Sequence, residues 1–93
     1  MNKYEMLYIL KADLTDEARD AVIAKFENIV KDAEGVVEKI DKWGVKKLAY
    51  EIDYKSEGYY VLMTFACNST VLAEIDRVAN ITEEMLRRLV VKL

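Results

Sequence analysis

The hydrophobic pattern of this 93-residue chain switches back and forth between a period of two, the repeat of a strand, and 3.6, the repeat of a helix. The order of those switches limits the fold more than any single residue does. Tyr4-Glu5-Met6-Leu7-Tyr8-Ile9-Leu10 is apolar and aromatic with partial alternation, which predicts a strand with one face buried and the other partly apolar. Thr15, Asp16 and Glu17 place a capping hydroxyl and two carboxylates where a helix N-terminus favours them. Ala18, Val22, Phe26, Ile29, Val30 and Ala33 then repeat at helical spacing, and Gly35 is expected to stop that helix. Period two returns from Val36 to Tyr54. The run is long for one strand, and Trp43-Gly44 in its middle predicts a bulge or bend that divides it into two pieces. Lys55-Ser56-Glu57-Gly58 supplies turn residues, and Tyr59 to Cys67 reads as the return strand of a hairpin. Asn68, Ser69 and Thr70 offer caps for a short amphipathic helix through Leu72, Ile75, Val78 and Ala79 that ends near Asn80. Leu86 to Leu93 is the last strand.

This β-α-β-β-α-β order predicts an α+β, ferredoxin-like sandwich, a four-stranded antiparallel sheet with two helices on one face and the other face open. A chain of this length has one core to bury, so residues 1–93 are read as a single domain. No apolar run approaches the roughly 18 residues of a membrane span; the longest, Tyr59 to Cys67, is strand-sized, and no membrane partner is expected. Met1 is followed by polar Asn2 and Lys3 and then by strand pattern, so no secretory leader is expected. The single cysteine, Cys67, has no internal disulfide partner, which fits a reducing cytoplasm.

Chemistry is constrained by what is missing. With no histidine and one cysteine, most metal centres and most Ser-His or Cys-His arrangements are excluded. No metal, cofactor or small-molecule substrate is expected, and the chain is read as having no enzymatic activity. The glycines Gly35, Gly44 and Gly58 sit at strand or hairpin positions rather than before a helix, so there is no phosphate-cradling loop. Gly58-Tyr59-Tyr60-Val61-Leu62-Met63-Thr64-Phe65 looks at first like an RNA-recognition strand, but its alternation leaves only Tyr60 as an open-face aromatic on that strand. Asp16 and Glu17 are explained by capping.

On the first strand Tyr4, Met6, Tyr8 and Leu10 point one way and Lys3, Glu5, Leu7 and Ile9 the other. On the third, Tyr59, Val61, Met63, Phe65 and Cys67 should meet the helices and leave Tyr60, Leu62, Thr64 and Ala66 outward. With the first and third strands central, Leu7, Ile9, Tyr60 and Leu62 would form an uncovered apolar patch, read either as a protein-partner site or as ordinary surface exposure. Charge is segregated as well. The chain carries a net charge of −3, and residues 13–38 hold eight acids against Arg19, Lys25 and Lys31. Residues 39–48 hold Lys39, Lys42, Lys46 and Lys47 against Asp41 alone, and Arg87, Arg88 and Lys92 follow the last acid, Glu84. Such local basic zones can neutralise phosphates on an acidic protein, or can simply be solvated surface.

The chain resembles the bacterial small-subunit ribosomal protein S6 family over essentially its whole length. The resemblance rests on Lys3-Tyr4-Glu5 with Tyr8-Ile9, on Trp43-Gly44 followed by Lys46-Lys47-Leu48-Ala49-Tyr50-Glu51-Ile52, on Gly58-Tyr59, and on Arg87-x-Leu89-Val90-Val91-Lys92. It implies a non-catalytic component of the small ribosomal subunit in the cytoplasm. Such a protein pairs with ribosomal protein S18, binds the central domain of the small-subunit ribosomal RNA with it, and supports subunit assembly and translation. Lys46 and Lys47 match the family's basic pair and would contact RNA phosphates next to Trp43, with Lys42 in the same zone. Lys3, Arg87 and Lys92 match family basic positions, and Arg88 joins them on charge alone. Leu48, Tyr50 and Ile52 are expected in strand packing. Because side chains alternate, Lys46 and Lys47 cannot share one face, so one should sit at a bend or reach past the sheet edge. Asn2 stands where the family often has arginine, Glu51 where part of it has proline, and the charged C-terminal extension of some members is not expected here beyond Leu93. The competing readings are a regulatory module that dimerises or takes a ligand through the open face, and an acylphosphatase-type enzyme. The latter would need a basic loop where this chain has Lys11-Ala12-Asp13-Leu14.

Overall fold

The computed structural model describes residues 2–52 and 55–93, with side chains described for residues 2–48 and 56–93. Strand β1 (Asn2–Lys11) shows the expected alternation: Tyr4, Met6, Tyr8 and Leu10 are buried, while Lys3 is exposed and Glu5 and Leu7 half-buried. It is followed by α1 (Asp16–Asp32), β2 (Val36–Ile52), β3 (Lys55–Cys67), α2 (Thr70–Asn80) and β4 (Met85–Lys92). The sheet order is β2-β3-β1-β4 with every neighbouring pair antiparallel, so β1 and β3 are central.

The core forms where the inner strand faces meet the helices. Tyr4, Met6, Tyr8 and Leu10 of β1 and Val61, Met63, Phe65 and Cys67 of β3 cluster with Val22, Ile23, Phe26 and Val30 of α1 and Val71, Ile75, Val78 and Ala79 of α2. Ring pairs Tyr4–Phe65 and Tyr8–Phe26, each with centroids 5.8 Å apart, lie within it. The expected Leu72 is half-buried at its margin, and Val71 takes the buried position in the first turn of α2.

Helix α1 begins as expected: the Thr15 hydroxyl oxygen accepts a hydrogen bond from the Ala18 amide at 3.1 Å, with Asp16 and Glu17 in the first turn. Its end differs from the expectation for Gly35. The Gly35 amide donates to Val30 O at 2.8 Å and the Glu34 amide to Lys31 O at 3.0 Å, a Schellman closure whose left-handed residue is Glu34, at φ 62°. Gly35 is required by space instead, since a Cβ there would stand 2.7 Å from Val30 Cγ1 and 2.8 Å from Ala66 O. Ser69 stands at the N-cap of α2 with helical backbone angles and no side-chain capping bond.

The hairpin also departs from the expected division. β2 is one strand with register shifts at Val37/Lys39, Lys42/Gly44 and Lys47/Ile52. The one at Trp43-Gly44 is the expected bulge, with Gly44 at φ +88°. A bulge adds a residue without ending the ladder, which is why the alternation kinks without breaking into two strands. Lys55 to Gly58, expected to turn, are already strand, with Ile52 opposite Lys55 and Lys47 opposite Glu57. The continuation of strand two to Tyr54 and the packing of Tyr50 and Ile52 lie outside the described residues and side chains.

Candidate nucleic-acid interface

Cross-strand register assigns every candidate except Trp43 to a face. On the open side one transverse row runs Arg87, Ile9, Tyr60, Gly44, the next runs Leu89, Leu7, Leu62, Asp41, and a third runs Val91, Glu5, Thr64, Lys39. Lys46 lies opposite Gly58, which lies opposite Lys11, on this same face. The bulge delivers Trp43 here too: its ring stacks on Tyr60 with centroids 6.3 Å apart and 9° between planes. Lys46 Nζ lies over the Trp43 ring, 5.0 Å from its centroid. Lys3, also on this face, pairs with Glu38 at 3.5 Å.

The remaining cations do not join that group. Lys42 is opposite Val61, a fully buried core residue, and its Nζ donates to Asp20 Oδ1 of α1 at 3.1 Å. Without the bulge, Lys42 and Lys46 would share a face by parity; the extra residue between them sends them to opposite sides. Arg88 is opposite Tyr8 and donates to Asp76 Oδ1 at 3.3 Å and Asn80 Oδ1 at 3.0 Å, both on α2. Lys92 is opposite Tyr4 on the helix side, at the end of the sheet remote from Lys46. Lys47 is exposed and opposite Glu57, where β2 and β3 run on past Lys11, the last β1 residue in register with β3. The two lysines of the pair therefore do lie on opposite faces.

The apolar patch is larger than the expected Leu7, Ile9, Tyr60 and Leu62. It gains Leu89, 59% exposed, and Val91, 44% exposed. Sequence reasoning assigned the last strand no face, although the alternation of Leu89 and Val91 around Val90 carried that signal. Leu7, Ile9, Leu89 and the two arginines Arg87 and Arg88 line a groove of about 110 Å³. Ile9, by contrast, is only 8% exposed. Gly58 leaves room beside it, and Leu48, itself 8% exposed, closes over the same spot. Ile9 is thus floor rather than contact surface.

Among the described residues no cluster of histidine, cysteine, aspartate or glutamate could hold a metal ion, and no helix is long and apolar enough to cross a membrane. Burial pushes the Cys67 thiol above its ordinary pKa, which keeps it protonated and unreactive. Burial, reinforced by the Glu27 carboxylate, pushes the Tyr8 hydroxyl far above its usual range.

The family model described as Ribosomal protein S6 matches residues 3–92. The chain belongs to the ribosomal protein S6 family. It is 46% identical over 93 residues to the small ribosomal subunit protein bS6 of Alkaliphilus metalliredigens, covering 100% of this chain and 98% of that one. It is likewise 46% identical over 92 residues to bS6 of Thermoanaerobacter pseudethanolicus, covering 99% and 97%. The crystal structure of 30S ribosomal protein S6 from Thermotoga maritima superimposes with a TM-score of 0.93 at 26% identity, covering 99% of this chain and 87% of that one. An S6 protein is a structural ribosomal component and not an enzyme, and the ferredoxin-like S6 architecture is the one described above.

Proposed function

We propose that this S6 protein sits in the small ribosomal subunit, binds the central domain of its RNA, and does so together with ribosomal protein S18. The observation that carries the reading is the division of the open face. Cationic Lys46 and Arg87 occupy its hairpin end, while Leu7, Leu62, Leu89 and Val91 form an apolar strip beside them. A cationic edge contacts phosphate and positions the protein, and an exposed apolar strip is the kind of surface a protein partner covers. Lys46 and Arg87 on the open face are the primary phosphate contacts in this reading, joined by Lys47, which lies on the other face of the hairpin where it runs on past β1. Lys3 and Lys92 are secondary at the far end. Lys42 and Arg88 serve the fold, because carboxylates of α1 and α2 already hold them. Localised basic groups on a chain of net charge −3 make binding depend on a few contacts rather than on bulk attraction.

The test is the affinity for a central-domain RNA fragment, titrated over salt with and without S18, for the parent and for Lys46→Ala with Lys47→Ala. The expected result is partner-dependent binding whose salt slope falls by roughly 0.7–0.9 for each phosphate contact removed. Binding that ignores both lysines and the partner would refute the assignment.

A further inference from the structure

We propose that the Trp43–Tyr60 pair is a stacking platform for an unpaired RNA nucleotide, with Lys46 resting on the indole in the free protein and moving to that nucleotide's phosphate on binding. The inference rests on the RNA reading above and specifies what the face recognises. An RNA-binding sheet needs more than one outward aromatic, and on sequence alone the third strand offered only Tyr60. The second comes from the neighbouring strand. The Lys42/Gly44 register shift, with Gly44 at φ +88° and open space around it, brings Trp43 onto the open face, parallel to Tyr60 within 9°.

This pair is not part of the core. Tyr8, Phe26 and Phe65 are fully buried against the helices, whereas Trp43 stays 44% exposed on the side the helices do not cover. Its nearby cation is exchangeable. An exposed ammonium over an indole is held weakly, on a flexible and strongly hydrated side chain, while a base stacked on an aromatic ring is held more firmly. Displacing Lys46 from the ring therefore frees a donor for the phosphate of the incoming nucleotide. The base must be unpaired, because bases in an A-form duplex are stacked on each other and their major-groove edges lie too deep to reach. From the platform the same row continues through Ile9 to Arg87, so the path across the sheet runs from one cationic side chain to another.

Trp43 is the chain's single tryptophan, so its emission reports the site directly. The full chain, alone and with ribosomal protein S18 present, is titrated with an unpaired mixed-sequence RNA hexamer, with the same hexamer annealed into a duplex, and with polyphosphate, and the outcomes are read in the arm that holds the partner. The hexamer should quench Trp43 with a midpoint at least tenfold lower than the duplex, and polyphosphate should not quench it. Lys46→Ala should keep the full quenching amplitude at a several-fold weaker midpoint. Tyr60→Leu should abolish the tenfold preference and Tyr60→Phe restore it, with circular dichroism confirming that both are folded. Equal quenching by duplex or polyphosphate would overturn the proposal. If the hexamer leaves the emission unchanged while the central-domain fragment binds, the platform is wrong and the RNA reading stands; if the fragment does not bind either, both fall.

Discussion

Replacing Gly58 by alanine should destabilise the protein through one contact that can be named in advance. A Cβ at Gly58 would stand 2.3 Å from Ile9 Cγ2 and 3.3 Å from Leu48 Cδ2, against an ordinary contact of 3.4–4 Å. The Ile9 methyl would have to retreat by about 1 Å, and being attached at Cβ it can do so only if χ1 rotates or the strand shifts. Both Ile9 and Leu48 are only 8% exposed, so neither moves freely into solvent. Overpacking of this kind costs about 1–3 kcal/mol, and replacing a strand glycine returns about 0.5–1 kcal/mol of backbone entropy. The net loss should be about 1–2 kcal/mol, a Tm decrease of roughly 4–16 °C for a domain of this size. Urea and thermal unfolding followed by circular dichroism would measure it. The decisive comparison is a double-mutant cycle with Ile9→Ala, which deletes the offending methyl. In that background Gly58→Ala should become neutral or slightly stabilising, giving a coupling of about 2 kcal/mol. Effects that add within about 0.5 kcal/mol would refute the steric reasoning.

Four other outcomes follow from single features of the structure. Glu34→Gly should stabilise the fold by about 0.5–1 kcal/mol in urea unfolding, because Glu34 occupies a left-handed position that glycine adopts without a Cβ penalty. Lys42→Ala and Arg88→Ala should leave the salt slope of RNA binding unchanged, whereas Lys46→Ala should lower it by roughly 0.7–0.9; an equal effect of all three would disprove the division by face. Because burial raises the Cys67 thiol pKa, the unfolded chain loses its thiol proton first. Stability should therefore fall as pH rises past the ordinary thiol value, and thiol labelling there should track global unfolding. The hydrogen bond from Arg77 holds the Glu74 carboxyl below its usual pKa. Its contribution is present above the unfolded value and lost as pH falls through the folded one, and Arg77→Ala should move the Glu74 titration upward in an NMR experiment.

Local signals were legible wherever a residue's role depends on its sequence neighbours. Thr15 caps α1, the alternation through Tyr4, Met6, Tyr8 and Leu10 faces the helices, and the Trp43-Gly44 pair does bulge. Gly35 does take part in closing α1, through its amide, but two different demands select glycine. Here the demand is close approach to Val30 and Ala66, a property of the packed sheet, while the left-handed turn falls on Glu34. The residues Lys55 to Gly58 have turn composition, yet they pair as strand because the β2 ladder extends opposite them.

The candidate site was harder to read because membership depends on a face, and a face depends on parity summed along a strand. One inserted residue at Trp43-Gly44 sends Lys42 to Asp20 and leaves Lys46 on the open side, although in sequence they belong to one basic run. Leu89 and Val91 join the patch only because β4 pairs with β1, and Ile9 leaves it because Gly58 lets Leu48 close over that spot. What the sequence alone determined was the order of elements and the side of each helix and central strand that is buried, since periodicity and capping act over a few residues. Tertiary structure decided which charges and aromatics meet on the open face, because that depends on cross-strand register and on the space left by a glycine, and neither exists until distant segments have paired.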